Sequence, residues 1–112
     1  MSDDEVLSGH LQELRRGTVV LACLETLATP RYGYALLETL EAAGFPVEGN
    51  TLYPLLRRLE KQGLLTSAWN TEEPRPRKFY QVTSQGRSVL GALKTEWSGL
   101  DESIRALGQE TR

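Results

Sequence analysis

The sequence predicts a mainly α-helical fold carrying one small β-hairpin, in the order helix, helix, helix, hairpin, helix. Three observations predict it. Apolar residues recur at alternating spacings of three and four near both ends of the chain. In the middle, Leu52, Leu55, Leu56 and Leu59 fall on one helical face. Two short runs of aromatic and aliphatic residues then flank a polar segment that contains two prolines. The length of 112 residues suits one domain, and 39% hydrophobic with 25% charged residues is an ordinary globular balance.

Residues 1–6 are expected to lie outside regular structure. A helix then runs from about Val6 to Ala28, with Leu7, Leu11, Leu14, Thr18 and Leu21 forming a heptad-like seam. From Val19 to Leu24 it is apolar on nearly every side, which places that end at the centre of the core. Thr29-Pro30 ends it, because Pro30 has no amide donor and restricts the residue before it. Tyr32 to Ala43 reads as a second, short helix, packed through Tyr32, Leu36, Leu37 and Leu40 and stopped by Gly44. Phe45, Pro46 and Val47 form a tight connection. Asn50 to Gln62 reads as the third helix, with Asn50 as N-cap and Gly63 as C-terminal stop. Pro54 falls near its start, where a missing amide costs less. Leu64–Trp69 and Lys78–Val82 read as strands joined by a long basic tip, Asn70 to Arg77. Thr83 can cap a final helix to about Leu107, whose apolar residues are Leu90, Leu93, Trp97, Leu100, Ile104 and Leu107.

A short helix, a tight connection and a helix with one apolar face are the parts of a helix-turn-helix. With the hairpin they predict a winged helix-turn-helix with N- and C-terminal dimerisation helices. Residues 1–82 form the winged unit with its N-terminal helix, and residues 83–112 the C-terminal dimerisation helix. Both end helices carry apolar stripes beyond what a compact three-helix core consumes. Pairing them across a two-fold axis buries both, so Leu7, Leu11, Leu14, Leu90, Leu93, Trp97, Leu100, Ile104 and Leu107 are the expected interface of a homodimer.

The formal net charge of -2 argues mildly against a nucleic-acid partner, but its distribution says more. Residues 1–14 hold Asp3, Asp4, Glu5 and Glu13 with no Lys or Arg. Residues 50–87 hold seven Lys or Arg against three Glu, a local net of +4. On the third helix Asn50, Pro54, Arg57 and Lys61 lie almost opposite the leucines, with Tyr53 and Arg58 on the flanks. Such a face can enter a major groove, its first residues approaching bases while Arg57, Arg58 and Lys61 mostly reach phosphates. Arg75, Arg77 and Lys78 on the hairpin can follow the backbone into the adjacent minor groove. The plain alternatives are a solvated helix face and a charged solvent loop, though Pro74 and Pro76 stiffen that loop. A winged helix that docks proteins instead of double-stranded DNA is the rival reading. The acidic N-terminus suits it, and the local +4 opposes it.

Nothing in the sequence points to catalysis. His10, the one histidine, lies near the N-terminus and reads as solvated, and no phosphate-binding Gly-rich loop or metal-ligand cluster is present in the sequence. No cofactor or metal is expected. Cys23 is the single cysteine, inside an apolar stretch; it reads as a small buried hydrophobe, with a redox role unsupported. The N-terminus is acidic, unlike a signal peptide, and no apolar run approaches a membrane span, so the expected location is cytoplasmic.

Four stretches resemble the PadR family of transcriptional regulators. Leu14-Arg15-Arg16-Gly17-Thr18 looks like its opening helix, and Pro30-Arg31-Tyr32-Gly33-Tyr34 like the start of its second. Most distinctive is the run from Gly49 through Asn50-Thr51-Leu52-Tyr53-Pro54 to Leu65, which is close to the family's recognition-helix signature. Pro76 to Gly86 resembles the returning strand of its wing. Phe79 stands where Tyr is frequent, and Pro74 and Pro76 stand where glycine is common. The resemblance implies a repressor that dimerises through its first and last helices and reads a roughly palindromic operator. DNA contact then falls to Asn50, Thr51, Tyr53, Pro54, Arg57, Arg58, Lys61, Arg75, Arg77 and Lys78. Tyr32 and Tyr34 can also donate to phosphates, or Tyr32 can pack while Tyr34 stays half exposed; Gly33 can admit another helix closely or mark the chain's entry into helix two. With one C-terminal helix the chain resembles the short subfamily, in which a tryptophan at the point matching Trp97 lines a site for planar aromatic effectors that weaken operator binding. The plainer reading of Trp97 is core filler against the N-terminal helix.

Overall fold

The computed structural model describes residues 1–72 and 74–110; Glu73 of the hairpin loop and the last two residues of the 83–112 segment lie outside the described residues. The elements are α1 (Asp3–Thr26), β1 (Arg31–Tyr32), α2 (Gly33–Ala42), α3 (Gly49–Lys61), β2 (Leu65–Asn70), β3 (Arg77–Val82) and α4 (Ser84–Glu110). The predicted order holds, with the addition of the two-residue β1.

α1 begins earlier than expected. Ser2 caps it, its Oγ accepting from the Glu5 amide, and Asp3, Asp4 and Glu5 place negative charge at the positive end of the helix dipole. Residues 3–6, expected outside regular structure, are therefore the capped first turn of a helix. Cys23 and Leu24 at its other end, with Leu27 just beyond, are fully buried and form the core with Leu36, Leu40, Leu52, Leu56 and Leu59.

Tyr32 is not in the second helix. It is the extended residue before α2 and pairs with Phe79, as Arg31 pairs with Tyr80, so the sheet has three antiparallel strands in the order β1-β3-β2. A two-residue strand shows no alternation, which is why periodicity missed it. The hairpin arms also run one step further, to the pair Asn70 and Arg77.

α2 and α3 end alike. Gly44 and Gly63 have φ of +94° and +82°, and the residue after each donates back across the last turn: Phe45 to the Leu40 carbonyl (2.8 Å) and Leu64 to that of Leu59 (2.9 Å). α3 starts one residue earlier than expected. Glu48, not Asn50, is its N-cap, and Asn50 lies in the first turn. Pro54 therefore sits inside the helix and removes one intrahelical bond, that to the Asn50 carbonyl.

Thr83 caps α4 as expected, accepting from the Gly86 amide (3.0 Å) while its hydroxyl donates to the Gly63 carbonyl (2.7 Å). Val89, Leu90 and Leu93 pack against the core, and beyond them α4 is largely exposed. The radius of gyration is 16.9 Å, well above the ~13 Å of a compact chain this long. The excess comes from the free lengths of α1 and α4.

Candidate nucleic-acid interface

α3 divides cleanly between two environments. Leu52, Leu55, Leu56 and Leu59 are buried, whereas Asn50, Thr51, Pro54, Arg57, Arg58 and Lys61 are exposed. Among the described residues Arg57, Arg58, Lys61 and Arg75 form no ion pair. Of these, Arg57 and Lys61 are held one turn apart on a rigid helix, a spacing that suits a row of phosphates.

Tyr53 has a double placement. A Cβ at residue 33 would lie 2.5 Å from its Cε1, and one at residue 49 would lie 3.2 Å from its Cε2. Gly33 and Gly49 therefore make room for the ring, which pins the start of α2 to the start of α3. The phenol makes no hydrogen bond with the described residues and is not buried, so it remains available to an outside acceptor.

The two faces of the hairpin carry different chemistry. On one, Tyr32 and Tyr34 stack in parallel with centroids 5.8 Å apart, and Phe79 meets Tyr32 edge-on. Arg77 lies over this pair, 5.0 Å from the Tyr34 centroid, and donates from Nη1 to the Tyr34 hydroxyl (2.8 Å). Asn70 donates to the Tyr32 hydroxyl (2.7 Å). Each phenol accepts and keeps its own proton to donate. The sequence left Tyr32 and Tyr34 open between packing and phosphate contact; in the fold they seat Arg77 at the root of the wing.

On the opposite face Lys78 differs from its expected neighbours Arg75 and Arg77. Its Nζ is 3.5 Å from Glu60 Oε1 and 5.5 Å from the Tyr80 centroid, and the side chain is about two-thirds covered. Glu60 Oε2 also accepts from the Ser67 hydroxyl. Lys78 thus turns toward α3 rather than projecting with the loop. In the sequence Glu60 is only one of the three Glu that offset the cations of residues 50–87; no local pattern signals a contact that depends on how the hairpin folds back over the helix.

Trp97 lines a groove of about 460 Å³ with Leu14, Thr18, Leu21, Ala22 and Phe45, bridged at one side by Lys94 and Glu25 (2.7 Å). It is 57% exposed in the single chain, not buried against α1. Leu7, Leu14, Leu100, Ile104 and Leu107 are likewise more than half exposed, while Leu11, Leu90 and Leu93 are half-buried. No group of His, Cys, Asp and Glu suited to a metal occurs among the described residues, and no described helix is long and apolar enough to cross a membrane.

A helix-turn-helix whose second helix shows cations to solvent, followed by a basic hairpin, defines a winged helix-turn-helix protein of the DNA-binding class. Residues 20–92 match the model of the PadR-like family of transcriptional regulators. The chain belongs to that family, whose members regulate transcription and are not enzymes. It is similar to the PadR family transcriptional regulator from Eggerthella lenta DSM 2243, with 46% identity, 93% of each chain covered and a TM-score of 0.90. It is also similar to the PadR-like transcriptional regulator of Bacillus cereus strain ATCC 14579, with 26% identity, 85% of this chain and 95% of that one covered and a TM-score of 0.75. Transcriptional regulator Rv3488 of Mycobacterium tuberculosis is 37% identical over 81 residues, 71% of this chain and 76% of its own.

Proposed function

We propose that this protein is a cytoplasmic repressor that binds a roughly palindromic operator as a homodimer. The observation that carries the reading is the exposed row Arg57, Arg58 and Lys61, free of ion pairs among the described residues and opposite the buried leucines of α3. In this reading Asn50, Thr51, Tyr53 and Pro54 approach base edges and nearby phosphates. Arg57, Arg58 and Lys61 hold the backbone, and Arg75 and Arg77 reach it from the wing. Lys78 serves the site by bracing the wing. Residues 1–82 do the binding and residues 83–112 hold the dimer. Fluorescence-anisotropy titration against the promoter of the protein's own gene tests it. The expected result is tight, salt-sensitive binding lost when Arg57 and Arg58 are both replaced by Ala; failure to bind any promoter duplex would favour the protein-docking rival.

The groove beside Trp97 supports release by a planar aromatic effector. Its lining is apolar and open to solvent, and an indole on it can stack with a flat ring. Trp69 also fluoresces, so a Trp69→Phe variant isolates the signal of Trp97. Planar aromatics should quench that signal and release DNA together, since an effector acts only through different affinities for two states. Quenching without release would remove the regulatory role.

A further inference from the structure

We propose that Glu60 is a positioning residue that sets the angle between the recognition helix and the wing. The inference rests on the reading that α3 and the hairpin bind one duplex together. Glu60 lies near the C-terminal end of α3, a helix whose exposed charges are otherwise cationic, where a carboxylate repels phosphate. Its two oxygens are engaged separately, Oε1 with Lys78 on β3 and Oε2 with Ser67 on β2. Ser67 pairs with Tyr80 and Trp69 with Lys78, so Ser67 and Lys78 lie on the same hairpin face, on its two different strands. One side chain of α3 therefore grips both arms of the wing.

The geometry around it fits that role. Tyr80 is buried and lies beneath the Lys78 ammonium, which restricts where the lysine can reach. Below this face Leu65 and Val82 join the core, while the loop beyond Asn70 and Arg77 extends outward. The Glu60 contacts are thus the polar extension of the hydrophobic seat, placed between the core and the basic tip. A wing free to tilt at this point would spread Arg75 and Arg77 over many positions and lose the fixed spacing to Arg57 and Lys61 that a duplex requires.

Charge counting and positioning predict opposite signs, which makes the inference testable. Glu60→Gln removes one negative charge from the DNA face and releases Lys78. If charge alone matters, the operator affinity rises and its salt dependence steepens. If Glu60 positions the wing, affinity falls about tenfold, the scale of one lost specific contact. Ser67→Ala leaves the charge unchanged and should weaken binding in the same direction with the salt slope intact. Amide hydrogen exchange of the DNA-free protein gives a readout that needs no operator: exchange in 65–70 and 77–82 should quicken in Glu60→Gln while α1, α2 and the start of α4 keep their protection. Tighter binding by Glu60→Gln, or unchanged exchange in the wing, would overturn the proposal. A wild-type protein that binds no promoter duplex would overturn the DNA reading, and the exchange experiment would still decide whether the clamp exists.

Discussion

Gly33 and Cys23 show how single side chains are constrained here. Gly33 has no room for a Cβ, because the Tyr53 ring occupies that space. Gly33→Ala must push the ring or part α2 from α3, an overpacking cost of about 1–3 kcal/mol. Chemical denaturation measures it, and the penalty should largely disappear when Tyr53→Leu is added, since that removes the ring atoms in the way. An equal loss in both backgrounds would mean that the ring is not what Gly33 accommodates. Cys23 is fully buried, and desolvation pushes its thiol from 9.0 up to about 12. The native thiol should not react with an aromatic disulfide reagent at pH 8 and should react at once in denaturant. The sign of the pH effect follows. The unfolded thiol ionises from about pH 9 and the folded one resists, so its contribution to stability is complete below 9 and is lost as pH rises toward 12. Cys23→Ala should decline less steeply over that window in denaturation midpoints.

At the scale of elements, the proposed DNA contact is divided between α3 and the wing. Lys61 is exposed and without an ion pair among the described residues, while Arg77 is seated on Tyr34. Replacing either with Ala should weaken binding to unrelated duplexes as well as to the operator, and each lost phosphate contact should reduce the salt slope by about 1. An unchanged affinity and slope in both variants would place the DNA face elsewhere. The leucine face of α3 could be read from the sequence because burial on a helix repeats at its own period, and the cations opposite follow from the same geometry. The Schellman ends could be read because Gly44 and Gly63 supply a conformation other residues avoid. β1 could not, being two residues long and defined only by its partner. Nor could the Glu60 clamp or the slot for Tyr53, because both arise where elements distant in sequence meet. The start of α1 departs from the expectation for residues 1–6, and its signal is local: Ser2 followed three residues later by Glu5 is a cap signature.

The whole molecule leaves its two longest helices unfinished. α1 and α4, about 36 and 40 Å long at 1.5 Å per residue, each extend past the shared core. Along them Leu7, Leu14, Trp97, Leu100, Ile104 and Leu107 stand between 53% and 72% exposed. Monomers rarely leave so continuous an apolar stripe in water, and a second copy supplies a matching stripe by symmetry. Leu90 and Leu93 are poor sites for a test because they also pack on the core within one chain. Leu100 is better placed: it lies beyond the core contacts, so a charge there should leave the fold of the single chain intact while opposing burial between two chains. Leu100→Glu should sediment as a 12.5 kDa monomer at micromolar concentration, with the wild type at twice that mass. Its operator affinity should fall steeply, because two half-sites are then bound independently instead of through one linked pair. Affinity for an isolated half-site, which needs only α3 and the wing of one chain, should barely change. A wild type that sediments as a monomer would refute the dimer outright. A Leu100→Glu monomer that lost half-site binding as well would mean that the end helices support the DNA face directly, and that the split between 1–82 and 83–112 is not a division of labour.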